Sequence, residues 1–271
     1  MYSGFMPLDF GDSNRLGNFF FWLVKQRNHD PTQPSSLIIW LNGGPGCSSM
    51  VGMMFENGPF TLQFGNVEKG EEKYDLKYNP YSWNEVADVI FVEQPLRTGY
   101  ATAAHGTDQV RSEKQIGEDF RKFLLSLLQV FPEYKDVEIF LTGESYAGFY
   151  IPWIANTVIK YQMKESVFDS TFYRDTQSDH INLAGAAIGN GVLDYLYQEP
   201  SYAEYAYSHG FIPLAAKKKF DFEWMECLEK VKISIHNLLF SNHGLLSSLF
   251  FYNRFKNQAI LLLVVLLMNV L

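Results

Sequence analysis

An α/β layered fold is what this sequence predicts, on three observations. Four short apolar, β-branched runs recur along the chain, helical spacing of apolar residues fills two of the intervals between them, and glycine-rich turns stop two of the runs. Runs that are apolar on both faces mark the central strands of a mostly parallel sheet, because helices cover such strands from either side.

The elements follow in order. Residues 35–41 (Ser-Ser-Leu-Ile-Ile-Trp-Leu) end at Asn42-Gly43-Gly44-Pro45-Gly46, a buried strand meeting a glycine turn. Residues 86–92, 137–141 and 181–188 repeat the pattern. Between the second and third runs, residues 112–131 set Ile116, Phe120, Phe123, Leu124, Leu127 and Leu128 at helical spacing, and residues 146–161 carry a second helical pattern after the third. Residues 194–210, rich in Tyr and Glu, depart from the alternation and start an excursion off the sheet. From 233 to 271 there is no Asp, Glu or Pro, and the apolar run 259–268 is shorter than the ~20 residues that span a bilayer. Membrane association is therefore not expected, and the apolar tail is the one segment that would carry it.

Composition narrows the function. The 271 residues are 47% apolar and 19% charged, which excludes disorder. With 22 basic and 30 acidic residues the net charge is −8, a field that repels phosphate backbones, so nucleic acid is not expected as a partner. Cys47 and Cys227 are too few for a disulfide scaffold and fit one bridge or two free thiols. Met1 is followed at once by Tyr-Ser-Gly-Phe, without the basic and apolar regions of a secretory signal. No residue pattern calls for a cofactor or a metal.

Gly143-Glu144-Ser145-Tyr146-Ala147-Gly148 joins a predicted strand to a predicted helix, where a nucleophile elbow places its serine. The strained turn brings two backbones together, so small residues are needed two before and two after the serine. Gly143 and Ala147 meet that need. The glycines of the 42–46 loop let backbone N–H groups approach a reacting carbonyl, as one half of an oxyanion hole requires, and the N–H of Tyr146 would be the other half.

Trp40-Leu-Asn-Gly-Gly-Pro-Gly-Cys-Ser-Ser, Glu56-Asn-Gly-Pro-Phe, Gly143-Glu-Ser-Tyr-Ala-Gly and Ile188-Gly-Asn-Gly occur in register with one another. Together they resemble the serine carboxypeptidases, a branch of the α/β-hydrolases, from Met1 to about Lys230. The opening Tyr-Ser-Gly-Phe-Met-Pro-Leu and the segment around Glu56 are similar to the fungal pheromone-processing carboxypeptidases of the Golgi. The resemblance implies an α/β-hydrolase fold, truncated after the elbow half of the sheet. It implies a core over 1–193, the start of an insertion subdomain over 194–232, and an anomalous tail over 233–271 outside the native fold. It further implies Ser145 as nucleophile, Gly44 and Tyr146 as oxyanion donors, and Trp40, Asn42, Glu56 and Glu144 as the site for a substrate's free C-terminal carboxylate. Partners would be peptides or proteins with a free C-terminus, and the location the Golgi or vacuole. Two glutamates accept an anionic ligand only if a proton is shared, so a raised Glu pKa and activity at acid pH are expected.

Three departures stand against the pattern. Arg97 occupies a position in Glu93-Gln94-Pro95-Leu96-Arg97-Thr98-Gly99-Tyr100 where the family has glycine, so the loop is expected to be strained. The family's later Gly-Asp and Gly-x-Gly-His motifs, which carry the acid and base, do not occur, and His180, His209, His236 and His243 match none of its positions. A serine without a base is weakly nucleophilic, so the chain as it stands is expected to be inactive. The family's disulfide from the position of Cys47 also lacks its usual partner.

Overall fold

The computed structural model describes residues 1–8, 16–30, 32–64, 74–106, 109–168 and 180–241. These fall into two compact units, Met1–Gly191 and a second that begins at Val192.

The first unit opens with β1 (Tyr2–Pro7) and β2 (Gly17–Val24), paired antiparallel. β3 (Leu37–Leu41) leads into the glycine loop and a π-helical turn, Gly52–Glu56. A separate antiparallel pair follows, β4 (Phe60–Phe64) and β5 (Tyr74–Tyr78). β6 (Asp88–Glu93), the short β7 (Thr102–Ala103), α1 (Glu113–Val130), β8 (Ile139–Glu144), α2 (Ala147–Phe168) and β9 (Leu183–Gly189) complete it. The strands form one mixed sheet in the order β1-β2-β6-β3-β8-β9, with β7 on β2. β6, β3, β8 and β9 run parallel, as the apolar runs predict. The β1–β2 flank is antiparallel and lies outside the four apolar runs from which a mostly parallel sheet is expected. Gly4 and Pro7 deprive β1 of strand periodicity, so nothing local announces it.

Packing explains the layers. Every residue of β6 is buried, and Leu37, Ile39 and Leu41 of β3 are fully enclosed. The six residues of α1 predicted to share a face are all buried, and Ser112 caps the helix by accepting from the Gln115 N–H at 3.4 Å. Phe19 of β2 sits against Phe120 and Phe123 of α1. Each such ring, once enclosed, contributes about 2 kcal/mol of apolar transfer free energy.

The N-terminal edge of the parallel strands is closed by polar groups. Asp88 begins β6 and is 3% exposed. It accepts from the Gln26 N–H at 2.6 Å, the Tyr134 hydroxyl at 2.5 Å and the Lys25 ammonium at 3.0 Å. Burial beside this carboxylate pushes the Tyr134 phenol far up, so it remains a donor at any working pH.

The second unit holds α3 (Tyr195–Ser208) and α4 (Leu214–Ser241). Asp194 caps α3 by accepting from the Leu196 N–H at 2.8 Å, and Lys217 of α4 reaches Glu204 of α3 at 3.1 Å. The excursion expected over 194–210 is thus mostly one helix. α4 passes through position 233 without a break. Residues 242–271, which include His243 and the apolar run 259–268, lie outside the described residues. Among the described residues no helix is long and apolar enough to cross a membrane. Cys47 and Cys227 are both exposed and free.

Candidate active site

Ser145 stands between the end of β8 and the start of α2 with φ 57, in the left-handed region that disfavours an L side chain by about 1–2 kcal/mol. Two hydrogen bonds hold it there. Its N–H donates to the Gly189 carbonyl at 3.0 Å and its carbonyl accepts from the Gly148 N–H at 3.0 Å. The closeness of the crossing backbones explains the small residues on either side. A Cβ on Gly143 would lie 2.8 Å from the Ala147 Cβ and would also collide with the Leu41 carbonyl. One on Gly43 would lie 2.9 Å from the Ser145 Cβ and 2.8 Å from the Glu144 carbonyl, so the glycine loop lies directly against the elbow.

The loop itself is shaped by Gly44 at φ 109 and Gly46 at φ 82. The Cys47 N–H donates to the Gly43 carbonyl at 3.1 Å, and the Gly46 N–H donates to the Tyr150 hydroxyl at 3.1 Å. Among the described residues the Gly44 N–H has no acceptor, as a donor kept for a ligand would not. Tyr150 is fully buried, and burial pushes its phenol up to about 12. The neighbouring Tyr146 hydroxyl donates to Glu113, in the first turn of α1, at 2.6 Å.

Beside the elbow, Asn42 ties four sequence-predicted residues together. Its Oδ1 accepts from the Trp40 Nε1–H at 2.8 Å and from the Gly52 N–H at 3.0 Å. Those two donors fix the amide's orientation and turn its Nδ2 toward the carboxylates. Nδ2 donates to Glu144 Oε1 at 2.9 Å and lies 3.5 Å from Glu56 Oε1. Burial, and next the neighbouring Glu144 charge, raise the Glu56 pKa above its ordinary 4.5, against the pull of the Asn42 amide. A group that holds a proton beside a second carboxylate can bind an incoming carboxylate without three-way repulsion.

Sequence reasoning passed over two supports. Glu93 is completely buried and accepts from the Ser48 hydroxyl and the Tyr100 N–H, fastening the glycine loop to the 94–100 loop. Glu113 steadies Tyr146. The signal for Glu93 is its place directly after the apolar run Val89–Val92, where an unpaired charge would be costly. Arg97 holds φ 77, so the expected strain is real. The buried Gln94 amide has no partner among the described residues.

Among the described residues no side chain hydrogen-bonds the Ser145 hydroxyl. His180 accepts from Gln162 at 3.0 Å, and His209 bonds the Tyr205 carbonyl at 2.9 Å. His236 lies on α4, and His243 is outside the described residues.

A sequence model described as serine carboxypeptidase matches residues 1–247, past the limit near Lys230 that the motifs alone set. The chain is 37% identical over 213 residues to the lysosomal protective protein of Mus musculus, covering 78% of this chain and 38% of that protein. It is 34% identical over 220 residues to carboxypeptidase Y of Schizosaccharomyces pombe, covering 81% of this chain and 20% of that protein. It is 35% identical over 234 residues to a pheromone-processing carboxypeptidase, kex1, of Aspergillus fumigatus, covering 86% of this chain and 34% of that protein. The chain thus spans between a fifth and two fifths of these relatives. The crystal structure of a prohormone-processing carboxypeptidase from Saccharomyces cerevisiae superposes with a TM-score of 0.70 at 29% identity, covering 85% of this chain and 47% of that one.

Proposed function

The chain belongs to the serine carboxypeptidase family of α/β-hydrolases, and we propose from that premise that it releases C-terminal residues from peptides through an acyl-enzyme on Ser145. One observation carries the reading. The Asn42 amide presents Glu144 and Glu56 together, on the loop and elbow that also carry the Gly44 and Tyr146 N–H groups. In this reading the substrate's terminal carboxylate lies on Asn42 and Trp40, sharing a proton with Glu56 or Glu144. The scissile carbonyl then sits between the Gly44 and Tyr146 N–H groups, which meet the charge that develops on its oxygen. Attack by the Ser145 Oγ forms the ester and breaks the C–N bond, the serine proton ends on the leaving amine of the released C-terminal residue, and water then hydrolyses the ester to free the shortened peptide and restore the Ser145 hydroxyl. Residues 1–193 are read as the hydrolase core and 194–232 as the start of an insertion subdomain, and peptides with a free C-terminus in the secretory pathway as the substrates.

A Ser145 hydroxyl with no side-chain partner among the described residues favours a second reading, a carboxypeptidase-like chain that binds free C-termini but turns them over poorly. A fluorophosphonate reagent separates the two, because it labels a serine only where a base activates it. Labelling at Ser145 supports the peptidase. An unlabelled Ser145, in a chain that still binds free-acid peptides over amides, supports the second reading.

A further inference from the structure

Arg97 is exposed at φ 77, a backbone region that favours glycine, and among the described residues no carboxylate pairs with its guanidinium. In a chain with 30 acidic residues and a net charge of −8, an unpaired arginine in a strained position is an outlier that points to a role. Its platform is rigid. The Thr98 N–H donates to the Pro95 carbonyl at 3.1 Å and the Ala101 N–H to the Thr98 carbonyl at 2.8 Å, turning the backbone tightly around Arg97. The same loop is fastened to the glycine loop by Glu93, and a Cβ on Gly46 would touch the Thr98 hydroxyl at 3.8 Å.

The glycine loop joins this platform to the proposed carboxylate site. β6 leads into the loop that carries Arg97 and lies beside β3 on the side away from β8. The proposed carboxylate-binding residues gather on Asn42, at the start of the glycine loop, and the 94–100 loop meets the far end of that loop at Gly46 and Ser48. In the carboxypeptidase reading, a peptide anchored at Asn42 by its C-terminus with its scissile carbonyl at Gly44 extends its upstream residues toward the Gly46 end of the glycine loop, which the Arg97 loop borders. Resting on the carboxypeptidase reading, we propose that Arg97 is a specificity-determining residue that favours peptides with Asp or Glu upstream of the scissile bond.

The test compares N-acetyl-Glu-Leu with N-acetyl-Lys-Leu, each as free acid and as amide, binding to the purified chain at pH 5.5 and low salt, followed by ligand-observed NMR. The Glu acid should bind about fivefold tighter than the Lys acid, attraction to one and repulsion of the other each contributing as an exposed charge pair does. Salt at 1 M should level the two. Arg97→Gly, which suits a positive φ, and Arg97→Gln, which keeps a side chain without the charge, should both level them and leave the preference for acid over amide intact. Equal binding of the two acids to the unsubstituted chain, or a preference that survives both substitutions, overturns the role of Arg97. Equal binding of acids and amides overturns the carboxypeptidase reading and the proposal with it.

Discussion

The two edges of the parallel sheet are built to opposite rules. At the N-terminal edge, Asp88 is buried and satisfied on every side by Lys25, Gln26 and Tyr134. Among the described residues the one left-handed side chain there is Asn28, a type that tolerates the conformation. At the C-terminal edge, Arg97, Ser145 and Asn190 all hold positive φ, Gln94 is buried without a partner among the described residues, and Asn42 divides one NH2 between two carboxylates. One edge contributes stability, and the other stores strain and unmet bonding capacity. Ligand sites of open α/β sheets lie outside the carboxyl ends of the strands, and the contrast locates the proposed site by physics as well as by resemblance.

Substitutions at the two edges should break that contrast in different ways. The largest effect is expected from Gly143→Val, whose side chain has no space between Leu41 and Ala147. It should lower stability by more than about 4 kcal/mol in urea unfolding, because backbone on one side cannot yield. Next, Asp88→Ala should cost about 3 kcal/mol. It orphans the Tyr134 hydroxyl and the Gln26 N–H, whereas the half-exposed Lys25 turns to water and adds little. Peptide binding should be unchanged by that substitution. Asn42→Ala should cost less, about 2 kcal/mol, by stranding the Trp40 indole N–H, yet remove the preference for free acids over amides. Equal losses of binding at both edges would erase the division of labour.

How much of this was legible in the sequence follows the same division. The four central strands are visible because burial on both faces leaves continuous apolar runs such as Val89–Val92, and the elbow because its crowding demands Gly143 and Ala147. Arg97 could be flagged because the family that the chain resembles has glycine at that position, and its φ of 77 is what a glycine there suits. The β1–β2 flank was not visible, since β2 is placed by pairing with β6 across about 70 residues of intervening chain, and no local pattern encodes a distant partner. Nor was the Asp88 cluster, whose members come from three separate segments. Second-layer supports such as Glu93 and Glu113 look like ordinary surface acids until the fold brings their partners to them.

Two smaller effects sharpen the comparison. Arg97→Gly should raise stability by about 0.5–1 kcal/mol by relieving the left-handed position, the reverse of what a removed charge would do in an ion pair. The Glu56 carboxyl, with its folded pKa above 4.5, holds a proton that the unfolded chain gives up near that value. Its contribution is therefore fully present below pH 4.5 and lost as pH rises through the folded pKa. Tm measured against pH should show this slope in the unsubstituted chain and lose it in Glu56→Gln.

The central claim is that the C-terminal edge binds a free carboxylate through a shared proton. Binding of N-acetyl-Leu-Leu and its amide, measured from pH 4 to pH 8, tests it most directly. The account predicts that the acid is preferred at low pH, that the preference decays as pH rises through the raised Glu56 pKa, and that Asn42→Ala abolishes it. Equal binding of acid and amide at every pH, or a preference that grows as pH rises, would contradict it.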